Sequence, residues 1–148
     1  MEEQKDVNKK LKRVVEKLRK TFNEEIIKTL VDSPSSVEVI STGSILLNKA
    51  TGVGGFPRGR IVELFGEEGS GKSTIALLTA VTLQKQGGIV GYIDVENALD
   101  GAYISKLGIQ VDSFVISQPS CGEEALAVVE KMCEEGVDLV VVDSVAAL

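Results

Sequence analysis

Near the start of the chain the apolar residues fall on one side of a helix. Val7, Leu11, Val14, Val15, Leu18 and Phe22 lie at i, i+4, i+7, i+8, i+11 and i+15, the recurrence of a single stripe at 3.6 residues per turn. Lysines and arginines occupy the other face, and Asp6 or Asn8 is placed to cap the start. Asp32, Ser33, Pro34, Ser35 and Ser36 then read as a turn or linker. A short β-like segment is expected over 37–40. Ser41-Thr42-Gly43-Ser44 offers an N-cap for a short helix over 45–49. Gly52, Gly54, Gly55, Pro57 and Gly59 make 51–59 a loop.

After Arg60 the pattern becomes an alternation of strands and helices. Apolar strands are expected over 61–65, 89–95, 114–117 and 139–142. Helices are expected over 74–86, 100–107 and 121–135, with Gly108 and Gly136 placed just after two of them. Strands this continuously apolar, alternating with helices, predict a mainly parallel α/β sheet covered on both faces. In such sheets ligands bind at the carboxyl ends of the strands. The expected organisation is a basic amphipathic helix and linker over 1–36, followed by an α/β core over 37–148.

Composition removes several kinds of chemistry. The chain has no histidine, so it holds no His general base and no His-ligated zinc. Two cysteines, Cys121 and Cys133, are too few for a disulfide scaffold or a four-cysteine metal site. Apolar runs are far shorter than the roughly 20 residues of a membrane span. The N-terminus is charged, without the apolar core of a signal peptide. The expected compartment is therefore the cytoplasm, or an organelle matrix. The net charge of −6 is uneven: residues 1–20 carry +4 and the remainder −10. A uniformly basic nucleic-acid binder does not look like this. The basic face is either a solvated surface whose apolar stripe docks on protein, a second subunit included, or a surface for phosphate or membrane.

Gly66-Glu67-Glu68-Gly69-Ser70-Gly71-Lys72-Ser73 fits G-x-x-x-x-G-K-[ST] in the required setting, after an expected strand and at the start of an expected helix that begins near Thr74. The glycines let backbone N–H groups turn inward on a phosphate, and the positive end of the helix dipole faces it. Lys72 is expected on the β and γ phosphates of a nucleotide and the Ser73 hydroxyl on magnesium. Asp143, at the end of the apolar strand 139–142, is the expected second magnesium group, acting through water. Glu96, just past the strand 89–95, is the expected base for a water. Alone, Asp143 reads equally well as a helix cap or turn residue, and the segment Asp94-Val95-Glu96 as a polar strand end.

These pieces, in this order, resemble the RecA recombinase family. Ile40-Ser41-Thr42-Gly43-Ser44, the glycine loop from Gly52 to Gly55, and Pro57-Arg58-Gly59-Arg60-Ile61-Val62-Glu63 precede the phosphate loop. Tyr92-Ile93-Asp94-Val95-Glu96-Asn97-Ala98-Leu99-Asp100 resembles the family's catalytic-glutamate segment. Ser117-Gln118-Pro119, Gly122-Glu123 and Ala125-Leu126 resemble its next strand–helix unit. Val142-Asp143-Ser144-Val145-Ala146-Ala147-Leu148 resembles its magnesium strand. Glu67, Gly69 and Asn97 depart from residues common in the family (proline, serine and histidine), and Glu67 with Glu68 puts two acids beside the loop.

The resemblance implies a P-loop NTPase fold of RecA type and an ATP- and Mg²⁺-using, single-stranded-DNA-dependent ATPase of recombination and repair. It implies Glu96 as general base, Asp100 and Tyr103 at the adenine, and Ser144 beside Asp143. Cofactor-binding positions then run through Gly66, Glu67, Glu68, Gly69, Ser70, Gly71, Lys72, Ser73 and Thr74. The implied partners are single- and double-stranded DNA, and other protomers of a helical filament docked through residues 1–30, with no membrane. A helicase, a clock-type ATPase or an ATP-binding assembly module without turnover are the alternatives. The resemblance also implies an incomplete core, expected to be poorly active alone. A strand from beyond Leu148 is expected between the strand 61–65 and the Asp143 strand, so the sheet would have a gap flanked by two apolar edges.

Overall fold

The computed structural model describes residues 2–22, 26–27 and 37–145. The expected linker over 32–36 and the segment Ala146 to Leu148 lie outside the described residues. By its internal contacts the chain divides into two units, Met1–Val37 and Glu38–Leu148.

In the first unit a single helix, α1, spans Glu2–Thr21. Neither Asp6 nor Asn8 caps it, because the helix begins four residues before Asp6. Glu2, Glu3, Gln4 and Lys5 are good helix formers, and acids at a helix start favour its dipole. The Thr21 hydroxyl donates to Lys17 O at 3.1 Å and Phe22 N to Leu18 O at 2.8 Å, closing the last turn. Val7, Leu11, Val14, Leu18 and Phe22 are exposed.

The second unit opens with β1 (Val39–Ile40), α2 (Ile45–Ala50) and β2 (Phe56–Pro57). β1 and β2 form a short antiparallel ladder pairing Val39 with Pro57 and Ile40 with Phe56. Ser44 caps α2, its hydroxyl accepting from Leu47 N at 3.3 Å. Gly55 is buried where a Cβ would strike the Ile40 carbonyl. The chain continues through α3 (Lys72–Gln84), β3 (Val90–Asp94), α4 (Gly101–Leu107), a single 3₁₀ turn (Val111–Ser113), β4 (Phe114–Ser117), α5 (Gly122–Glu134) and β5 (Leu139–Asp143).

The last three strands form a parallel sheet in the order β4-β3-β5. Every residue of the central strand β3 is buried. Side chains alternate across a strand. Val90 and Tyr92 join Leu77, Ala80, Val81 and Leu83 of α3 and Ile104 of α4 in the core. Gly91 points the other way, where any Cβ would land on Met132 Sδ of α5. Helices therefore cover both faces, as the alternation predicted.

The expected strand over 61–65 is absent. Residues 61–66 run without a ladder partner, and Ile61 and Phe65 are 101% and 87% exposed. A strand exists only where a neighbour takes its N–H and C=O groups. Here the sheet ends at β5, and the run does not pair with it.

Candidate functional site

The segment between the unpaired run and α3 is bent by glycines. Gly66, Gly69 and Gly71 have φ of 156°, 71° and 93°, which residues with a Cβ rarely adopt. Gly71 caps α3 in the left-handed region and supplies no side-chain acceptor. The first turn of α3 therefore presents N–H groups that have no partner within the helix. Ser70 N donates to Glu67 O at 3.2 Å. The Lys72 ammonium folds back over the loop and donates to Gly66 O and to Glu67 O, each at 2.9 Å. Gly69, Gly71, Lys72, Ser73 and Thr74 line a cavity of about 200 Å³ beside it. Glu67 and Glu68 are exposed.

Thr74, in the first turn of α3, shares a 2.9 Å hydrogen bond with the Tyr103 hydroxyl. This ties the loop's helix to α4. Asp100 stands at the N-cap of α4 and accepts from Ala102 N at 2.7 Å and Tyr103 N at 3.4 Å through Oδ1. Its observed work is to start the helix that carries Tyr103.

The acids gather at the carboxyl ends of the strands. Asp94 ends β3 and Asp143 ends β5, and the parallel register pairs them directly. Like charges opposed on adjacent strands are destabilising, and each carboxylate is separately hydrogen-bonded, Asp94 by three donors and Asp143 by one. Asp94, only 2% exposed, accepts from Ala98 N at 3.0 Å, Leu99 N at 3.1 Å and Gln118 Nε2 at 3.2 Å. Asp143 Oδ2 accepts from the Tyr92 hydroxyl at 2.6 Å. Burial, then the hydrogen bond and charge of Asp143, then the charges of Asp94 and Glu96 push the Tyr92 hydroxyl far above its ordinary value. It keeps its proton at neutral pH and serves as a hydrogen-bond donor to Asp143.

Glu96 lies exposed in the turn after β3, which Asn97 passes with φ 53°. Glu96 Oε1 accepts from the Ser144 hydroxyl at 2.6 Å. Glu96 and Ser144 are thus brought together, as are Thr74 and Tyr103, and Lys72 with its own loop. Ser73 and Asp143 make no hydrogen bond to each other. Among the described residues no group of three or more His, Cys, Asp or Glu could hold a metal by itself. Sequence reasoning assigned no role to Tyr92, Asp94 or Gln118. The signal for Tyr92 was a lone hydroxyl in the strand Val90–Asp94, on the same face as Asp94.

A model of the RecA N-terminal domain matches residues 9–148. The chain belongs to the RecA family. Protein RecA of Wolbachia sp. subsp. Brugia malayi is 49% identical over 99% of this chain and 42% of its own length. Protein RecA of Bacteroides thetaiotaomicron is 50% identical over 95% of this chain and 43% of its own length. Protein RecA of Thermotoga maritima is 48% identical over all of this chain and 42% of its own length. The chain thus spans about two-fifths of the RecA relatives it matches. The match to the RecA N-terminal domain takes in the glycine loop, both strand-end acids and most of α1. No described helix is long and apolar enough to cross a membrane.

Proposed function

We propose that this chain is the nucleotide-binding part of a single-stranded-DNA-dependent ATPase of homologous recombination and DNA repair, with a P-loop NTPase core. The observation that carries the reading is the Lys72 ammonium lying on the Gly66 and Glu67 carbonyls at the uncapped start of α3. A cation and free N–H groups around a cavity suit a polyphosphate, which would displace the two carbonyls as the partner of Lys72. Glu67 and Glu68 stay at the loop's surface.

Magnesium, when bound with ATP, neutralises phosphate charge. Ser73 and Asp143 are the groups that would hold it, Asp143 through water. One hydroxyl and one carboxylate are the sparse oxygen set that magnesium takes when phosphates complete its shell. Tyr103, held by Thr74, is the proposed stacking surface for the adenine, and Asp100 positions it by starting α4. Glu96 is the proposed base, taking a proton from the attacking water. Ser144, through its bond to Glu96, keeps that carboxylate in place.

The proposed organisation is an oligomerisation arm over 1–36 and an ATPase core over 37–148, in the cytoplasm. The exposed stripe of α1 supports docking of residues 1–30 on another protomer of a helical filament. Single- and double-stranded DNA are the proposed partners of that filament in strand exchange.

A second reading is an ATP-binding assembly module without turnover. The unpaired run over 61–66, which leads directly into the loop, favours it. ATP hydrolysis by the full chain, with and without single-stranded DNA, separates the two. The first reading expects turnover, slow in an incomplete core, that rises with DNA and is lost in Lys72→Ala and in Glu96→Gln. ATP binding without turnover, in the presence of DNA, selects the second.

A further inference from the structure

Tyr92 is the largest fully buried side chain among the described residues, at 1% exposure. Its ring packs in the core under α3 and α4, with its centroid 5.8 Å from that of Phe114. A phenylalanine would make all of these apolar contacts. The hydroxyl is the part the core does not need, since a buried polar group costs free energy unless it is bonded. Its partner is neither a backbone carbonyl nor a neighbouring hydroxyl. It is the Asp143 carboxylate, 51 residues away in sequence and 2.6 Å away in space.

The register explains how they meet. Tyr92 pairs with Val141, and Asp94 pairs with Asp143. The bond therefore runs diagonally from one strand to the next, toward the carboxyl edge of the sheet. Asp94, directly opposite, is bound by three donors of its own and has none to share. The Tyr92 hydroxyl is the one hydrogen-bond donor that the Asp143 side chain meets among the described residues. Without it, nothing there holds that carboxylate against the repulsion of Asp94.

We infer that Tyr92 is a positioning residue for Asp143: its hydroxyl holds Oδ2, fixes the plane of the carboxylate and leaves Oδ1 for the hydrated magnesium bound with ATP. This rests on the magnesium reading of Asp143 proposed above. Loss of the hydrogen bond that orients a directly ligating group typically weakens a metal 10- to 100-fold; Asp143 reaches magnesium through water, so the lower end of that range is expected.

The test is Tyr92→Phe in the full chain, read by binding of a fluorescent ATP analogue as MgCl₂ is titrated, and again in EDTA. The Mg²⁺ concentration at half-maximal enhancement is expected to rise about 10-fold, with binding in EDTA and circular dichroism unchanged. An unaltered Mg²⁺ dependence in Tyr92→Phe, while Asp143→Asn weakens it, overturns the positioning role and leaves the magnesium site intact. Loss of binding in EDTA as well overturns it in favour of a purely structural hydroxyl. An unaltered Mg²⁺ dependence in Asp143→Asn shows that the magnesium reading itself has failed, and the role of Tyr92 fails with it.

Discussion

The Ser144 hydroxyl donates to Glu96 Oε1 across 2.6 Å, joining the exit of β5 to the turn after β3. Glu96, the proposed base, sits on an exposed turn, where its use depends on its orientation. Ser144→Ala removes that tether without touching the phosphate loop. ATP turnover is expected to fall about 10-fold, within the roughly 10²-fold cost of a 1 Å misplacement. ATP affinity is expected to stay within about 2-fold, since the lost interaction acts on the chemical step. Steady-state kinetics beside equilibrium binding separates the two effects.

Asp94 is a structural acid whose removal leaves donors stranded. Asp94→Ala unpairs Ala98 N, Leu99 N and Gln118 Nε2 around a buried site. Each such donor costs about 1–3 kcal/mol when it finds no water. A loss of about 3 kcal/mol is expected in urea unfolding, with Asp94→Asn retaining part of the stability because it keeps one acceptor oxygen. A change below about 0.5 kcal/mol, ordinary for a surface site, contradicts the assignment.

Gly55 stands where the β1–β2 ladder meets the Ile40 carbonyl, and a Cβ there has nowhere to go. The obstacle is backbone, which cannot swing aside as a side-chain tip can. Gly55→Ala is expected to lower stability by about 1–3 kcal/mol, the usual range for overpacking. Gly52, which has nothing near its Cβ position, serves as the comparison only in part, because its φ of 74° adds strain of its own.

The buried Tyr92 hydroxyl makes a signed prediction about alkaline pH. An unfolded tyrosine ionises near pH 10, whereas the folded hydroxyl holds its proton to higher pH. Above about pH 10 the unfolded state therefore binds fewer protons than the folded one, and stability falls by up to about 1.4 kcal/mol per pH unit from this group. Below pH 10 the contribution is fully present. Tyr92→Phe is expected to lose less stability than the parent chain between pH 9 and 11. Equal alkaline slopes in the two proteins contradict the burial and bonding of this group.

Most of the fold was legible because the elements carry their own signals. The helix α3 and the strands β3, β4 and β5 lie within two residues of their expected ends, since apolar runs and flanking glycines mark them locally. What failed depended on partners. Residues 61–65 have strand composition, but a strand needs a neighbour, and composition does not say whether one is there. Asp6 and Asn8 look like caps, yet the residues before them are helix formers and the helix runs on. The glycine bends before α3 and the place of Lys72 at its start were readable from spacing alone. The Tyr92–Asp143 bond was not, because it requires knowing that β5 lies beside β3.

The loop from Gly66 to Ser73 is proposed to hold the phosphates of ATP through Lys72. Calorimetric titration of the full chain with ATP and Mg²⁺, beside Lys72→Ala, decides this. A charge-assisted hydrogen bond is worth about 1.5–3 kcal/mol, so the variant is expected to bind about 10- to 100-fold more weakly while keeping its fold by circular dichroism. Equal affinity in the two proteins, or no binding by the parent chain, contradicts the claim.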